Sequence, residues 1–211
     1  MKRTIGLYVP LLLLFALLIS SLAACGPSAS PTPLPTDTPP PPPTDTPTPP
    51  PTDTPTPEPA HLFKSEEGGF SIVAPYALQE TSQSVSTEAG TIEVHMFIAE
   101  QGQGAWLVGY SDYPEAIVQA SDPETILAGA RDGAVATVNG QLVSDTEASL
   151  NGYPGREFSA SLTQNGSDFV LRQRVFLVGN RLYQIVVIVP KGTENSTEVD
   201  DFLQSFQLIA E

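Results

Sequence analysis

Apolar side chains follow three different patterns along the chain. From Ile5 to Leu22 they are almost uninterrupted, between residues 26 and 60 only Leu34 is bulky and apolar, and after that they alternate with polar side chains in short runs. A continuous apolar run of about 18 residues is typical of an exported or membrane-inserted segment. A segment without apolar side chains cannot offset its ordering entropy. We therefore predict one folded domain, over residues 61–211.

Alternating runs bounded by turn residues predict strands in the first half of this domain. Residues 61–65 and 70–74 flank the sequence EEGG, which predicts a hairpin. A weaker polar strand, LQETSQSVS, follows. The run TIEVHMFIA places one set of residues on an apolar face, namely Ile92, Val94, Met96 and Ile98, and puts Glu93, His95 and Phe97 on the other. QGQG then turns the chain into a further strand, AWLVGYSDY.

A helix is predicted to begin at Pro123. Asp122 precedes it as a good N-cap, and proline at the first helical position loses no hydrogen bond. The helix has one apolar stripe at helical spacing, made of Leu127, Ala130, Ala134, Val135 and Val138. Asn139-Gly140 should end it, because glycine readily adopts the left-handed conformation.

Three more strands are predicted near residues 141–149, 155–163 and 168–178, separated by Asn-Gly pairs at 151–152 and 165–166 that favour tight hairpins. The run RLYQIVVIV is apolar on both faces, which predicts a central strand. A closing helix is indicated by spacing i, i+3, i+4 and i+7 of Val199, Phe202, Leu203 and Phe206, with Ser196 or Thr197 as its cap. The fold class is therefore α+β, an antiparallel sheet with helices packed on it.

The apolar segment at the start of the chain ends at the only cysteine. Lys2 and Arg3 precede the segment, and Leu22-Ala23-Ala24-Cys25 follows it. This arrangement resembles the signal peptide and lipobox of bacterial lipoproteins. The resemblance implies that residues 1–24 are removed, that the Cys25 sulfur receives a diacylglycerol, and that its amino terminus is acylated, for example with palmitate. The alternative is an uncleaved membrane helix.

Residues 25–60 are predicted to be a disordered tether that begins at the lipidated cysteine. Sixteen of residues 26–60 are proline, and PTDTP recurs three times. Such a segment favours polyproline II, and at about 3.1 Å per residue it could reach on the order of 100 Å. The alternatives are a set of PxxP-type ligands for a partner domain and a mucin-like stalk with O-linked sugars on threonine.

Two stretches of the domain resemble the PsbP family. EEGGFSIVAP shows Gly-Phe-Ser followed by an apolar pair and a proline, and GNRLYQIVVIVP with DDFLQSFQL resembles the closing strand and helix. The resemblance covers residues 68–76 and 179–208, and it implies an antiparallel sheet sandwiched between helices. The matching residues are packing residues, so the family's photosystem role is not carried over.

Charge and residue inventory limit the chemistry of the domain. It holds seven cations and 20 acids, a net charge of −13, which argues against nucleic acid and against direct adhesion to anionic lipid. The chain lacks the sequence motifs of common catalytic and nucleotide sites. Its two histidines, His61 and His95, are predicted to be solvent-facing, and neither a metal nor a cofactor is expected. The acidic pairs Glu66-Glu67 and Asp200-Asp201 have structural explanations, in a turn and at a helix start.

Three arginines are the candidate binding residues. Arg156, Arg172 and Arg174 lie on neighbouring predicted strands, and an open face there would form a cationic patch for a carboxylate, a phosphate or a partner protein. The alternative is pairing across the strands with nearby acids, namely Glu157, Asp168 or Glu147. Trp106 and Tyr110 share one side of a strand, and we interpret them as core residues rather than a ligand platform.

The predicted function is that of a lipid-anchored protein at the extracytoplasmic face of the cell membrane. Its domain is predicted to be a non-enzymatic binding or accessory module for an envelope protein or complex. One alternative is a receptor for a small anionic or carboxylate ligand, which would need a pocket with convergent polar groups. A less favoured alternative is a hydrolase built on carboxylates, which would need two of them close together in a cleft.

Overall fold

The computed structural model describes residues 61–87 and 90–209. The predicted signal peptide, Cys25 and the tether lie outside these residues. Ten strands and three helices are present in the described part. The strands are β1 (His61–Ser65), β2 (Phe70–Ala74), β3 (Gln79–Thr87), β4 (Gly90–Gln101), β5 (Gly104–Asp112), β6 (Gln141–Leu150), β7 (Tyr153–Gln164), β8 (Ser167–Val178), β9 (Arg181–Pro190) and β10 (Gln207–Leu208). The helices are α1 (Glu115–Ala120), α2 (Pro123–Thr137) and α3 (Thr197–Gln204).

Seven strands form one antiparallel sheet, in the order β3-β4-β5-β9-β8-β7-β6. Strand β9 lies at its centre, as its two apolar faces predict. Tyr183, Ile185 and Val187 of β9 are buried in the core on one face, and Leu182 is buried in the core on the other. Helices packed on an antiparallel sheet confirm the predicted α+β fold class.

One face of this sheet is covered by α2. Asp122 caps the helix as predicted, because its Oδ1 accepts a hydrogen bond of 2.8 Å from the Glu124 backbone N–H. The helix buries Leu127 completely against this face, and the other residues of its apolar stripe pack around it. The chain leaves α2 through Asn139, whose φ of 50° is left-handed. The preceding short helix α1 had no clear signal in the sequence.

The opposite face is covered by α3 and by a second, three-stranded sheet in the order β1-β2-β10. The predicted hairpin of β1 and β2 is confirmed, with Ser65 paired to Phe70 across the turn. The sequence did not reveal β10, which pairs with β2 over only two residues. Ser196 occupies the N-cap position of α3, but its side chain makes no capping hydrogen bond.

The second sheet covers one face of β4. Phe97 shares that face with Glu93 and His95, as the alternation predicts, and it is only 4% exposed because it packs against Phe63 and Phe70 of the second sheet. Because that sheet covers this face, both sides of β4 bury apolar side chains. Trp106 and Tyr110 lie in the same core, which confirms their interpretation as core residues.

Within the two described stretches, no helix is long and apolar enough to cross a membrane.

Candidate functional site

The three candidate arginines do not share one face of the sheet. The tight turn after β7 pairs Glu157 with Arg174 and Ser159 with Arg172. Arg156 directly precedes Glu157 in β7. Because successive side chains alternate between the two faces of a strand, the Arg156 side chain points to the opposite face. There it forms a two-pronged interaction with Asp145, with Nε 2.9 Å from Oδ1 and Nη2 2.7 Å from Oδ2, and it also contacts Glu124 of α2.

Arg172 lies beneath the start of α3. Its Nη1 donates to Asp200 Oδ1 at 2.6 Å and to the backbone carbonyl of Glu194 at 2.8 Å. Its Nη2 is 3.4 Å from Glu157 Oε1. Arg172 therefore connects the first turn of α3 and the loop before it to the sheet.

Arg174 lies beneath the end of the same helix. Its Nη1 donates to the Leu203 carbonyl at 3.0 Å, which satisfies one of the acceptors that a helix C-terminus leaves open. Its Nε is 3.4 Å from Glu157 Oε2, and its guanidinium lies 5.0 Å from the Phe176 ring centre. Together, Arg172 and Arg174 hold α3 at both ends.

The predicted cross-strand pairing is present for one of the three named acids. Glu157 contacts both Arg172 and Arg174. Asp168 instead accepts a hydrogen bond from Thr163, and Glu147 makes no ion pair among the described residues. Anion or partner binding by the arginines remains a prediction, and such a ligand would compete with carboxylates already in place.

A fourth arginine, Arg181, organises the opposite end of this face. It forms two hydrogen bonds of 2.7 Å with Asp112, and this interaction lowers the pKa of the Asp112 carboxyl. Its guanidinium lies 4.5 Å from the centre of the Tyr110 ring. The His95 imidazole stacks on the same ring at 4.6 Å with the planes 6° apart.

The EEGG turn is anchored to this group of side chains. Arg181 Nη1 donates to the Glu67 carbonyl at 2.8 Å, and the Tyr183 hydroxyl donates to the Gly68 carbonyl at 2.7 Å. Gly68 is required here, because a Cβ atom would come within 2.6 Å of the Phe70 ring. The backbone of the turn is thus held in place by β9.

Beside this turn lies a cleft of about 380 Å³ between β1 and the β3–β4 edge of the large sheet. Three apolar side chains line it, namely Phe63, Leu78 and Phe97. Three acidic residues, Glu66, Glu67 and Glu80, line it as well, together with Lys64 and Ser65. We call this site the acidic cleft. The charges of Glu67 and Glu80, added to the larger effect of burial, help raise the pKa of Tyr110 to about 12.

Sequence reasoning missed the acidic cleft. In the sequence, Glu66 and Glu67 are turn residues and Glu80 belongs to a weak polar strand. Glu80 stands directly opposite Phe97 in the β3–β4 pairing, so its proximity to an aromatic ring could have been inferred from the register. Its proximity to Glu66 and Glu67 depends on how the second sheet packs, which no local pattern reveals.

No metal centre is assembled in the part of the chain that the structure describes. No group of three histidine, cysteine or acidic side chains there converges closely enough to hold a metal ion. Glu100 is the one carboxyl group in this part with a resolved upward pKa shift, caused by burial without a contributing charge. Glu100 does not line the acidic cleft, so this shift marks no site of the kind that the hydrolase alternative needs.

Comparisons with known proteins concern the fold. No protein-family model matches the chain, and no curated protein matches it. Among solved structures it is similar to cyanobacterial PsbP (CyanoP) from Synechocystis sp. PCC 6803, with 9% identity and a TM-score of 0.49 over 71% of this chain and 92% of that one. It is also similar to LpqN of Mycobacterium tuberculosis, involved in cell envelope biogenesis, with 13% identity and a TM-score of 0.40 over 75% of this chain and 83% of that one.

Proposed function

We propose that this protein is a lipoprotein that displays a binding or accessory module at the extracytoplasmic face of the cell membrane. One observation carries the proposal, namely the order of segments along the chain. A charged start, an apolar run and Leu22-Ala23-Ala24-Cys25 are followed by a proline-rich stretch and then by a single domain. Two or three acyl chains on Cys25 would anchor the protein stably.

The tether gives the module its working distance. At about 3.1 Å per residue, residues 26–60 would hold the domain on the order of 100 Å from the bilayer at most. The domain's charge of −13 fits this separation, because an anionic surface is not attracted to anionic lipid. The partner would then be an envelope protein or complex rather than the membrane surface.

Mass spectrometry of the mature amino terminus tests this proposal. The wild-type protein from a bacterial membrane fraction should begin at Cys25 and carry the mass of a diacylglycerol and an acyl chain. The Cys25→Ser variant should carry no lipid at residue 25. A wild-type protein that begins at Met1 would contradict the proposal.

A second candidate function is anion binding by Arg172 and Arg174, which share one face of the sheet, whereas Arg156 lies on the other face. Two guanidinium groups on one face, each with a side chain 17% exposed, favour it. Calorimetric titration with inorganic phosphate should show binding to the wild-type protein and none to the Arg172→Gln/Arg174→Gln variant. Arg156→Gln, on the other face, separates its contribution. Absence of binding to the wild-type protein would eliminate this candidate.

A further inference from the structure

The carboxylates of the acidic cleft are set apart from the other charged groups of the domain by their lack of ion pairs. All five arginines of the described residues contact carboxylates. None of these contacts involves Glu66, Glu67 or Glu80, and no other ion pair in residues 61–87 and 90–209 involves them either. Lys64 lines the cleft but also forms no ion pair there. Within the described residues, these three negative charges therefore have no cationic partner.

The cleft has apolar walls beneath these charges. The rings of Phe63 and Phe97 are 4.8 Å apart, and Leu78 is half-buried beside them. A lysine side chain fits this combination, because its methylene stem packs on apolar surface while its ammonium reaches a carboxylate. An aromatic ring also attracts a cation near its face. A volume of about 380 Å³ is sufficient for such a side chain and its neighbours.

A metal ion and the chain's own tether fit the cleft less well. The three carboxylates do not converge on one point closely enough to hold a metal. Residues 26–60 contain four acids and no cation, so their charge has the same sign as that of the cleft. An extended organic cation can instead span carboxylates that lie apart.

A buried hydroxyl in the cleft wall favours a peptide over a simple amine. Ser65 is only 8% exposed and lines the cleft. Its Oγ accepts a hydrogen bond of 2.9 Å from the Gly68 backbone N–H, and its own proton has no acceptor among the described residues. A peptide carbonyl next to a bound lysine would supply that acceptor.

We propose that the acidic cleft binds a lysine side chain of an extended basic segment in the envelope partner. This inference rests on the proposed function, since it names the chemistry of that partner. The charge of the whole domain would steer such a segment towards the cleft. The anchored EEGG turn would hold Glu66 and Glu67 in position before binding, which reduces the entropy lost on association.

A fluorescence anisotropy titration tests this site. The mature, lipidated chain in neutral detergent micelles is titrated against fluorescein-labelled penta-lysine at about 0.15 M salt. Glu67→Gln/Glu80→Gln should weaken binding by about five- to tenfold, since each exposed ion pair contributes modestly. Glu147→Gln/Asp201→Asn removes the same charge outside the cleft and should weaken binding less than about twofold. The same peptide with acetylated lysines should not bind.

Three results would overturn the inference: no binding to the wild-type protein, equal binding by wild type and the cleft variant, or equal weakening in both variants. The last result would mean unspecific attraction to an acidic surface. This test fails independently of the proposed function. If the lipidated Glu67→Gln/Glu80→Gln variant crosslinks to the envelope partner as well as wild type does, the proposed function stands and the cleft is not the binding site. If the wild-type protein carries no lipid, the proposed function fails, whatever the result of the peptide titration.

Discussion

Two polar regions on the same face of the large sheet use charge in different ways. Beside α3, Arg172 and Arg174 are matched by Glu157, Asp200 and two backbone carbonyls. In the acidic cleft, Glu66, Glu67 and Glu80 have no cationic partner within the described stretches. The first region binds one element of the domain to another. The carboxylates of the second region form no ion pair with the rest of the described domain. The cationic patch of Arg172 and Arg174 is therefore a weaker candidate for binding an external ligand than the acidic cleft.

The largest effect on stability should come from the apolar packing of α3 on the sheet, to which the contacts of Arg172 and Arg174 are added. Phe202 of α3 is completely buried in the core shared by the sheet, the helix and β2. Phe202→Ala should lower the free energy of unfolding by about 3–5 kcal/mol, because it leaves a cavity. Chemical denaturation followed by the Trp106 fluorescence would measure it. A loss below about 1 kcal/mol would mean that α3 is not docked as described.

The arginine pair should have the next largest effect. Arg172→Gln/Arg174→Gln should lower the free energy of unfolding by about 2 kcal/mol, because it leaves the Leu203 carbonyl and the Asp200 and Glu157 carboxylates without their donors. Arg172→Lys/Arg174→Lys keeps the charge and serves as the control for geometry, with an intermediate loss expected since lysine lacks the planar fork. Unchanged stability in the glutamine variant would mean that the arginines are free to bind an external anion.

The Asp112–Arg181 pair should give a smaller, pH-dependent effect. Its stabilisation is complete above the ordinary pKa of an aspartate, about 4, and is lost as the pH falls through the lowered pKa of Asp112 in the folded protein. Asp112→Asn removes this contribution, of about 1 kcal/mol for a half-exposed pair. The difference in stability between wild type and variant should therefore shrink as the pH falls below about 4. A difference that grows on acidification would contradict this assignment.

The smallest effect should come from the acidic cleft. Glu67→Gln/Glu80→Gln should change the free energy of unfolding by less than about 0.5 kcal/mol, since neither side chain forms an ion pair with another residue of 61–87 or 90–209. Because the variant reduces the repulsion between carboxylates, we expect a slight increase in the free energy of unfolding. Thermal unfolding at low and high salt would measure it. A loss as large as that of the arginine variant would show that these carboxylates stabilise the fold.

Local signals predicted much of the domain. Asp122 and Pro123 fixed the start of α2, and the Asn-Gly pairs at 151–152 and 165–166 adopt the left-handed conformations that tight hairpins need. The register that follows from the second of these turns, which pairs Glu157 with Arg174, also separates Arg156 from the other arginines. This separation follows from the Asn165-Gly166 turn and the alternation of side chains, so adjacent position on neighbouring strands does not by itself put two side chains on one face.

Contacts between distant segments could not be predicted in this way. Strand β10 has two residues and no periodicity, so its pairing with β2 becomes apparent only in the folded domain. The burial of Phe97 does not follow from its strand, because its cover comes from β1 and β2, some thirty residues earlier in the chain. The acidic cleft forms between the same two parts of the domain, and for this reason composition showed its carboxylates but not their arrangement.

Hydrogen–deuterium exchange of α3 tests the contrast between the two regions most directly. The peptide that covers residues 197–204 is followed in wild type, Arg172→Gln/Arg174→Gln and Glu67→Gln/Glu80→Gln. The arginine variant should exchange about 30-fold faster, which corresponds to about 2 kcal/mol of lost local stability. The glutamate variant should match wild type. Exchange at the wild-type rate in the arginine variant would contradict the structural role of Arg172 and Arg174. Faster exchange in the glutamate variant would contradict the claim that the carboxylates of the acidic cleft do not stabilise α3.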